Sequence, residues 1–348
     1  MEKRRLGRTD LNVPALCLGT MMYGDQIGEA EAAAQMDACL DRGINFFDTA
    51  EMYTVPPKPE TQGESERIVG RWIAARRVRD KVVIATKVSG RAPVPWMREH
   101  GGETRLIEPQ IRFAVERSLK NLQTDYIDLY QIHWPDRGVQ NFGGSRTGYV
   151  HYSEPGIPIE ETLGAFGRLV EEGKVRHVGL SNETPYGVMR FLRAAEAKTL
   201  PRVASIQNAY NFLNRTFELG LAEIALEEQV GLLAYSPIGQ GALTGKYLDG
   251  AKPAGSRGAL YNRLNRYETP MADEAIRGYL ALAKKFGADP AAFAMQFVTT
   301  RPFVTSNIFG ARNLDQLGVI FSSLELKWTD EMEKAVNELH GRMQNPCP

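Results

Sequence analysis

At 348 residues the chain can form one large domain or two ordinary ones, and 43% apolar with 24% charged residues leaves enough nonpolar mass for a substantial core. Lys plus Arg and Asp plus Glu number 42 each, so the net charge of +0 gives no electrostatic reason to expect nucleic acid or an anionic membrane as partner. No apolar stretch approaches the roughly 18 residues of a spanning helix, and the basic start Met1-Glu2-Lys3-Arg4-Arg5-Leu6 lacks the apolar core of a secretory signal.

The chain opens with a hairpin pattern, Arg4 to Arg8, a Thr9-Asp10 turn, then Leu11 to Pro14. From there strand and helix patterns alternate. Strands are predicted at Ala15–Gly19, Asn45–Thr49, Val82–Val88 and Tyr126–His133, then at Val175–Ser181, Ala204–Asn208, Gly231–Ser236 and Asn307–Gly310. Helices are predicted between and after them. The first is Glu29–Arg42, with Ala32, Met36, Cys39 and Leu40 on one face and Gly43 as its stop. Glu64–Arg76 follows, then Glu108–Leu122, where Pro109 suits a first turn. Pro158–Gly173, Pro185–Ala197, Phe217–Gln229, Pro290–Thr300 and Leu314–Ser322 complete the alternation, and Asp330–His340 is an additional helix.

Strict alternation of this kind makes parallel strands, because each crossover carries a helix. Eight units close most naturally into a (β/α)8 TIM barrel, here with an N-terminal β-hairpin and an extra C-terminal helix; an open doubly wound sheet is the alternative. No composition break or linker divides 1–348, so a single barrel domain is expected. Four connections are long, 54–63, 90–107, 135–157 and 237–269, and all leave C-terminal strand ends, where barrel enzymes build their sites.

Cys17, Cys39 and Cys347 form no close pair and no metal spacing, and Cys17 and Cys39 read as small buried hydrophobes of a reducing cytoplasm. The five histidines make no metal-binding cluster, so no metal is expected.

The chemistry sits where strands end. Asp48 closes Ile44-Asn45-Phe46-Phe47, Tyr53 follows it, Lys87 closes Val82–Thr86, and His133 closes Tyr126–Ile132. Singly, Asp48 could cap a turn, Tyr53 could be a loop tyrosine and His133 a satisfied core histidine. Lys87 says more, because a lysine closing a buried strand needs a counter-charge, and Asp48 on the neighbouring strand can supply it. Together they form an acid set for carbonyl reduction. A lysine ammonium lowers the pKa of an adjacent phenol, an aspartate holds the lysine, and an imidazole N–H can orient a carbonyl oxygen. With neither a nucleophile nor a metal, the electrons must come from a cofactor.

This order of residues resembles the aldo-keto reductase superfamily, whose Asp-Tyr-Lys-His tetrad stands on a (β/α)8 barrel. The matching strings are Leu18-Gly19-Thr20-Met21, Gly43 to Ala50 followed by Tyr53, Leu122 to Leu129, Gly173 to Asn182, Ile206-Gln207-Asn208 and Ala234 to Tyr247. The segments 51–63, 131–135 and 250–255 are similar to the branch holding the potassium-channel β-subunits, and most of all to its bacterial Tas-like reductases.

The resemblance implies NADP(H) lying across the barrel mouth and a small carbonyl compound as substrate. Gly19, Thr20 and Met21 would lie by the nicotinamide ribose, Ser181, Asn182 and Gln207 would hold the carboxamide, and Tyr235 would stack on the ring. Ser236, Pro237, Ile238, Gly239, Gln240 and Gly241 would follow the pyrophosphate, with Lys246 and Arg257 neutralising charge. Gly310, Arg312 and Gln316, opening the last helix of the barrel, would take the adenosine 2′-phosphate.

The chain departs from the family pattern in two places. Thr54 and a proline-rich insertion follow Tyr53 where many members have glycine, and Val319-Ile320 replaces a Glu-Asn pair near the adenosine, so preference for NADPH rests largely on Arg312. Two other readings remain open: a cofactor-sensing subunit with little turnover, as the channel branch permits, and a lyase using Lys87 as Schiff-base nucleophile. Substrate identity and oligomeric state are not legible in the residues.

Overall fold

The computed structural model describes residues 1–99, 101–140, 142, 148–262, 264 and 266–348, so the expected loops 90–107, 135–157 and 237–269 are described except at positions 100, 141, 143–147, 263 and 265. Strands β1 (Lys3–Arg5) and β2 (Asn12–Pro14) form the antiparallel hairpin. The next strands are β3 (Leu16–Gly19), β4 (Phe46–Asp48), β5 (Val83–Val88) and β6 (Ile127–Ile132). They are followed by β7 (Val175–Ser181), β8 (Val203–Ala209), β9 (Gly231–Tyr235) and β10 (Val304–Phe309). These eight close in the order β10-β3-β4-β5-β6-β7-β8-β9, every pair parallel, so the expected barrel is the observed one.

Around them run α1 (Glu29–Asp41), α2 (Glu64–Arg76), α3 (Glu108–Leu122), α4 (Ile159–Glu171) and α5 (Pro185–Lys198). Next come α6 (Leu221–Glu227), α7 (Arg257–Tyr261), α8 (Ala272–Lys285), α9 (Pro290–Thr299), α10 (Leu314–Ser322) and α11 (Asp330–Arg342).

Side chains alternate across each strand, and that period of two sorts the core. Cys17, Phe46, Val83, Ala85, Leu129, Ala204, Leu233 and Ile308 fill the barrel interior with Leu6 and Val13 of the hairpin. Between them Phe47 faces outward onto Trp72 of α2, ring centroids 5.5 Å apart, and Tyr130 onto Phe166 of α4 at 5.3 Å. The hairpin therefore plugs the N-terminal mouth. Gly7 makes the approach possible: at φ +58, a Cβ there would stand 2.4 Å from the Ala204 carbonyl oxygen.

Several elements differ from expectation. β10 begins at Val304, three residues before the predicted Asn307, because Thr305, Ser306 and Asn307 are polar yet buried. Their partners explain it: Ser306 Oγ donates to the Pro14 carbonyl at 2.8 Å, and Asn307 Nδ2 donates to the Met295 carbonyl and Thr299 Oγ1, both at 3.0 Å. The helix predicted over 217–229 is a 3-10 turn at Thr216–Leu219 and the shorter α6, divided at Gly220. Helices α7 and α8 go beyond the predicted set; the buried face of α8 is Ala272, Ala275, Ile276, Tyr279 and Ala283, four of the five alanine or tyrosine. Among the described residues no helix is long and apolar enough to cross a membrane.

Candidate active site

The strand parity that places Phe46 and Ala85 inside the barrel places Asp48 and Lys87 inside it too, two residues nearer the C-terminal mouth. Lys87 is fully buried, and its ammonium donates to Asp48 Oδ2 at 2.5 Å, to the Thr49 carbonyl at 2.8 Å and to Tyr53 Oη at 3.2 Å. All three donors of the lysine are used. His133 follows β6 directly, and its ring meets the Tyr53 ring edge-on with centroids 5.6 Å apart. The four residues that the sequence singles out converge on one point at the mouth.

Burial lowers the pKa of Lys87, but the Asp48 carboxylate and the Tyr53 phenol outweigh it, and the net value stands above that of ordinary lysine. Lys87 is an ammonium ion here. Tyr53 corrects a sequence expectation. Burial raises the phenol pKa more than Lys87 lowers it, with the Asp48 charge adding to the rise, so the net value lies above an ordinary tyrosine rather than below. Lys87 limits the penalty without reversing it. Burial, then the Lys87 charge, hold His133 well below the usual imidazole pKa, so its ring is neutral. His133 Nδ1 is buried without a protein partner among the described residues.

Asp48 Oδ1 accepts from Gln207 Nε2 at 2.8 Å and from Gln131 Nε2 at 3.0 Å, and Gln207 Nε2 also donates to Gln131 Oε1 at 3.1 Å. A carboxylate only accepts, so Asp48 dictates which way both amides face. With both N–H groups of Gln207 engaged, its Oε1 is the atom left for a ligand. Gln131 is a site residue that the sequence reading missed, although its place two before His133 puts it on the same inward face.

A second buried ion cluster fastens the turn that carries Tyr53. Glu51, fully buried, accepts from Ser89 N at 2.8 Å, from Arg98 at 2.9 and 3.0 Å, and from Arg117 at 2.9 Å, while its own N–H donates to the Lys87 carbonyl at 3.2 Å. The insertion after Tyr53 is closed by Thr54 Oγ1 against Thr61 Oγ1 at 2.9 Å and by Gly63 N donating to the Tyr53 carbonyl at 2.8 Å. Val55 and Pro57 of that insertion line the cleft.

The cleft over this centre has a volume of about 1070 Å³. Tyr53, His133, Asn182, Gln207 and Tyr235 lie along it with Gly19, Met21, Ser236, Pro237, Ile238, Gln240 and Gly241, and it extends to Lys246, Arg257, Gly310, Arg312 and Gln316. Thr20, Ser181 and Gly239, expected beside them, do not line it. Thr20 Oγ1 donates to the Asp48 carbonyl at 3.1 Å and lies 2.7 Å from Ser65 Oγ; Ser181 Oγ donates to the Gln207 carbonyl at 2.9 Å. Both brace the wall from behind.

Positive φ angles at Ser236, Gly239, Gln240 and Gly241 coil the chain after β9 tightly, and a Cβ on Gly241 would stand 2.7 Å from Lys246 Nζ. At the far end the Arg312 guanidinium donates through Nη1 to the Gly255 carbonyl, its buried Nε has no partner among the described residues, and Gln316 Oε1 accepts from Arg312 N at 3.0 Å. These features fit an extended, polyanionic dinucleotide: cations and a glycine-rich turn at one end, an amide acceptor and an aromatic ring at the other. Among the described residues no group of three His, Cys, Asp or Glu is placed to hold a metal ion.

Comparison with known proteins gives the family. A family model described as the aldo/keto reductase family matches residues 15–340. The chain is 45% identical over 352 aligned positions, covering 100% of both, to the protein tas of Escherichia coli (strain K12). An aldo-keto reductase of Babesia bovis is 38% identical over 281 positions, 76% of this chain and 98% of that one. A probable voltage-gated potassium channel subunit beta of Arabidopsis thaliana is 30% identical over 322 positions, 91% of this chain and 89% of its own.

Proposed function

The chain belongs to the aldo/keto reductase family, and from that premise we propose that it reduces aldehyde or ketone carbonyls to alcohols with NADPH, Tyr53 serving as the acid. One observation carries the reading: a single buried ammonium, Lys87, bonds the Asp48 carboxylate and the Tyr53 hydroxyl together, beside a neutral His133, at the floor of a cleft much larger than a small carbonyl needs.

The cofactor, when bound, supplies hydride to the carbonyl carbon. Everything else falls to the chain. His133 presents a neutral imidazole; nothing among the described residues holds its proton on Nδ1, so the other nitrogen is free to donate to the substrate oxygen. Tyr53 gives its proton to that oxygen as charge develops there. The raised phenol pKa is no obstacle, since an alkoxide is a far stronger base than a phenolate. Lys87 then faces the phenolate at 3.2 Å and offsets its charge, and Asp48 keeps Lys87 protonated and in position. The free Oε1 of Gln207 suits the N–H of the nicotinamide carboxamide, and Arg312 with Gln316 suits the 2′-phosphate.

A Lys87 Schiff base is disfavoured by the same pairing, because the amine would first have to lose a proton that Asp48 and Tyr53 hold. The channel-subunit relative keeps open a cofactor-binding role with little turnover, and activity decides it. Tyr53→Phe should lower kcat for a turned-over aldehyde by about 10²-fold or more, while quenching of tryptophan fluorescence by NADPH persists. Full activity in that variant removes Tyr53 from the acid role; tight NADPH binding without turnover across aldehydes, ketones and quinones favours the sensing subunit.

A further inference from the structure

A closed belt of contacts surrounds the substrate end of the cleft. The His133 ring packs on Trp134 at 4.8 Å, and Trp134 meets Phe142 edge-on at 6.4 Å. Arg266 lies over Phe142 at 4.8 Å, and its Nη1 reaches Tyr235 Oη at 3.4 Å. Tyr235 Oη donates to Asn182 Oδ1 at 2.7 Å, and Asn182 Nδ2 donates to the His133 carbonyl at 2.9 Å, which completes the circuit. All six residues line the cleft. The belt carries one full positive charge, on Arg266.

Among the described residues, the other charges on this rim are matched. Arg91 pairs with Glu103 and Glu154 at 3.1 and 2.9 Å, Arg137 with Glu183 at 2.5 Å, and Asp136 with Arg105 at 2.8 Å. Arg266 has no carboxylate partner among the described residues, and its one hydrogen bond there is the long contact to Tyr235 Oη. Lys246, Arg257 and Arg312 stand at the opposite, phosphate-binding end on the proposed reading. Arg266 is instead three hydrogen bonds from the backbone of His133. Among the described residues, its contacts to Phe142 and Tyr235 leave the rest of its planar N–H fork unused.

We propose that Arg266 binds a carboxylate, and that the preferred substrates are aldehydes or ketones carrying one on an aromatic or apolar body. A guanidinium held by rings offers two parallel N–H donors at fixed geometry, which matches a carboxylate. One cation balances one anionic charge, whereas a phosphate dianion calls for a second. Trp134, Phe142 and Met52 supply the apolar wall for the body between the charge and the carbonyl. The reaction is the reduction proposed above and rests on it: the carbonyl carbon gains hydride, its oxygen gains the Tyr53 proton, NADPH becomes NADP⁺, and the carboxylate is unchanged.

The test compares 4-carboxybenzaldehyde with 4-nitrobenzaldehyde, a neutral molecule of the same shape, in the full chain and in Arg266→Met. The ratio of kcat/KM, charged over neutral, should fall roughly tenfold or more in the variant, the loss expected for a hydrogen-bonded charge partner, with Arg266→Lys between the two. Calorimetric titration of the cofactor-free protein with benzoate should give binding that Arg266→Met abolishes and that benzamide does not reproduce. An unchanged ratio together with tenfold weaker NADPH binding would make Arg266 a cofactor ligand and overturn the proposal. Absence of turnover with both aldehydes counts against the reductase reading, and in that case the benzoate titration still decides the role of Arg266.

Discussion

Asparagine at position 48 preserves shape and removes only charge, so Asp48→Asn measures what the buried ion pair holds. The carboxylate receives Lys87 at 2.5 Å on one oxygen and two glutamine amides at 2.8 and 3.0 Å on the other. An asparagine NH₂ group must face either the ammonium or the amides, donor against donor. Removing one partner of a buried pair costs about 3–5 kcal/mol because the other charge is left behind. Lys87 can escape only by losing its proton, and from a reference pKa of about 10.4 that costs about 4.6 kcal/mol at pH 7. Both routes give the same size of loss. With an unfolding entropy near 2.1 cal/mol/K per residue, about 0.7 kcal/mol/K for this chain, the melting temperature should drop by about 4–7 °C. Calorimetry or circular dichroism at pH 7 reads the shift. Asp48→Asn combined with Lys87→Met, which leaves neither charge buried, should recover at least half of it. A single variant within about 1 °C of the parent, or a double variant no better than the single, would refute a paired, buried Lys87.

Lys87 and Tyr53 have raised pKa values, so the stability they contribute is complete below their unfolded values near 10 and is lost as pH rises beyond them; the urea midpoint should hold from neutral pH to about pH 9 and fall above about pH 10. His133 is shifted downward, so its contribution is present above about pH 6.5 and is lost as pH falls; its ¹⁵N resonances should show a neutral ring at pH 6, and a titration midpoint near 6.5 would contradict that burial. Phe212 stacks on Tyr279 and Phe297 at 4.4 Å each, tying the loop after β8 to α8 and α9, and Phe212→Ala should cost about 3–5 kcal/mol in urea unfolding; a loss below about 1 kcal/mol would mean that the stack relaxes. Arg312→Met should lower the NADPH over NADH preference in kcat/KM roughly tenfold, and an unchanged ratio would move the 2′-phosphate site elsewhere.

Position at the ends of apolar strand runs made Asp48, Lys87 and His133 legible, and Tyr53 followed from its place just after Asp48. Apolar residues at 46, 83 and 85 share the interior face, and a polar residue in phase with them at 48 or 87 has to be explained by a partner. Gln131 obeys the same parity but is uncharged, so it raised no such demand. Polarity also hid the start of β10, where Thr305 to Asn307 satisfy their groups against distant backbone and side-chain atoms. Helix α8 buries mostly alanine and so presents a faint apolar stripe. The belt through Arg266 joins two loops, and Glu51 finds Arg98 and Arg117 at separations of 47 and 66 residues. Contacts of that kind leave no periodicity to read. The net direction of the Tyr53 shift was equally out of reach, since it turns on how deeply the phenol is buried.

The Glu51 cluster makes the segment from 90 to 107 an unsafe cassette for protein engineers. That segment borders the cleft through Arg91 and Ala92 and invites exchange when a new pocket is wanted, yet its Arg98 is part of the clamp under the proton donor. A transplanted loop lacking that arginine would leave a buried carboxylate short of a counter-ion two residues from Tyr53. Remodelling of the pocket is therefore better directed at Val55 and Pro57, which line the cleft without entering that cluster.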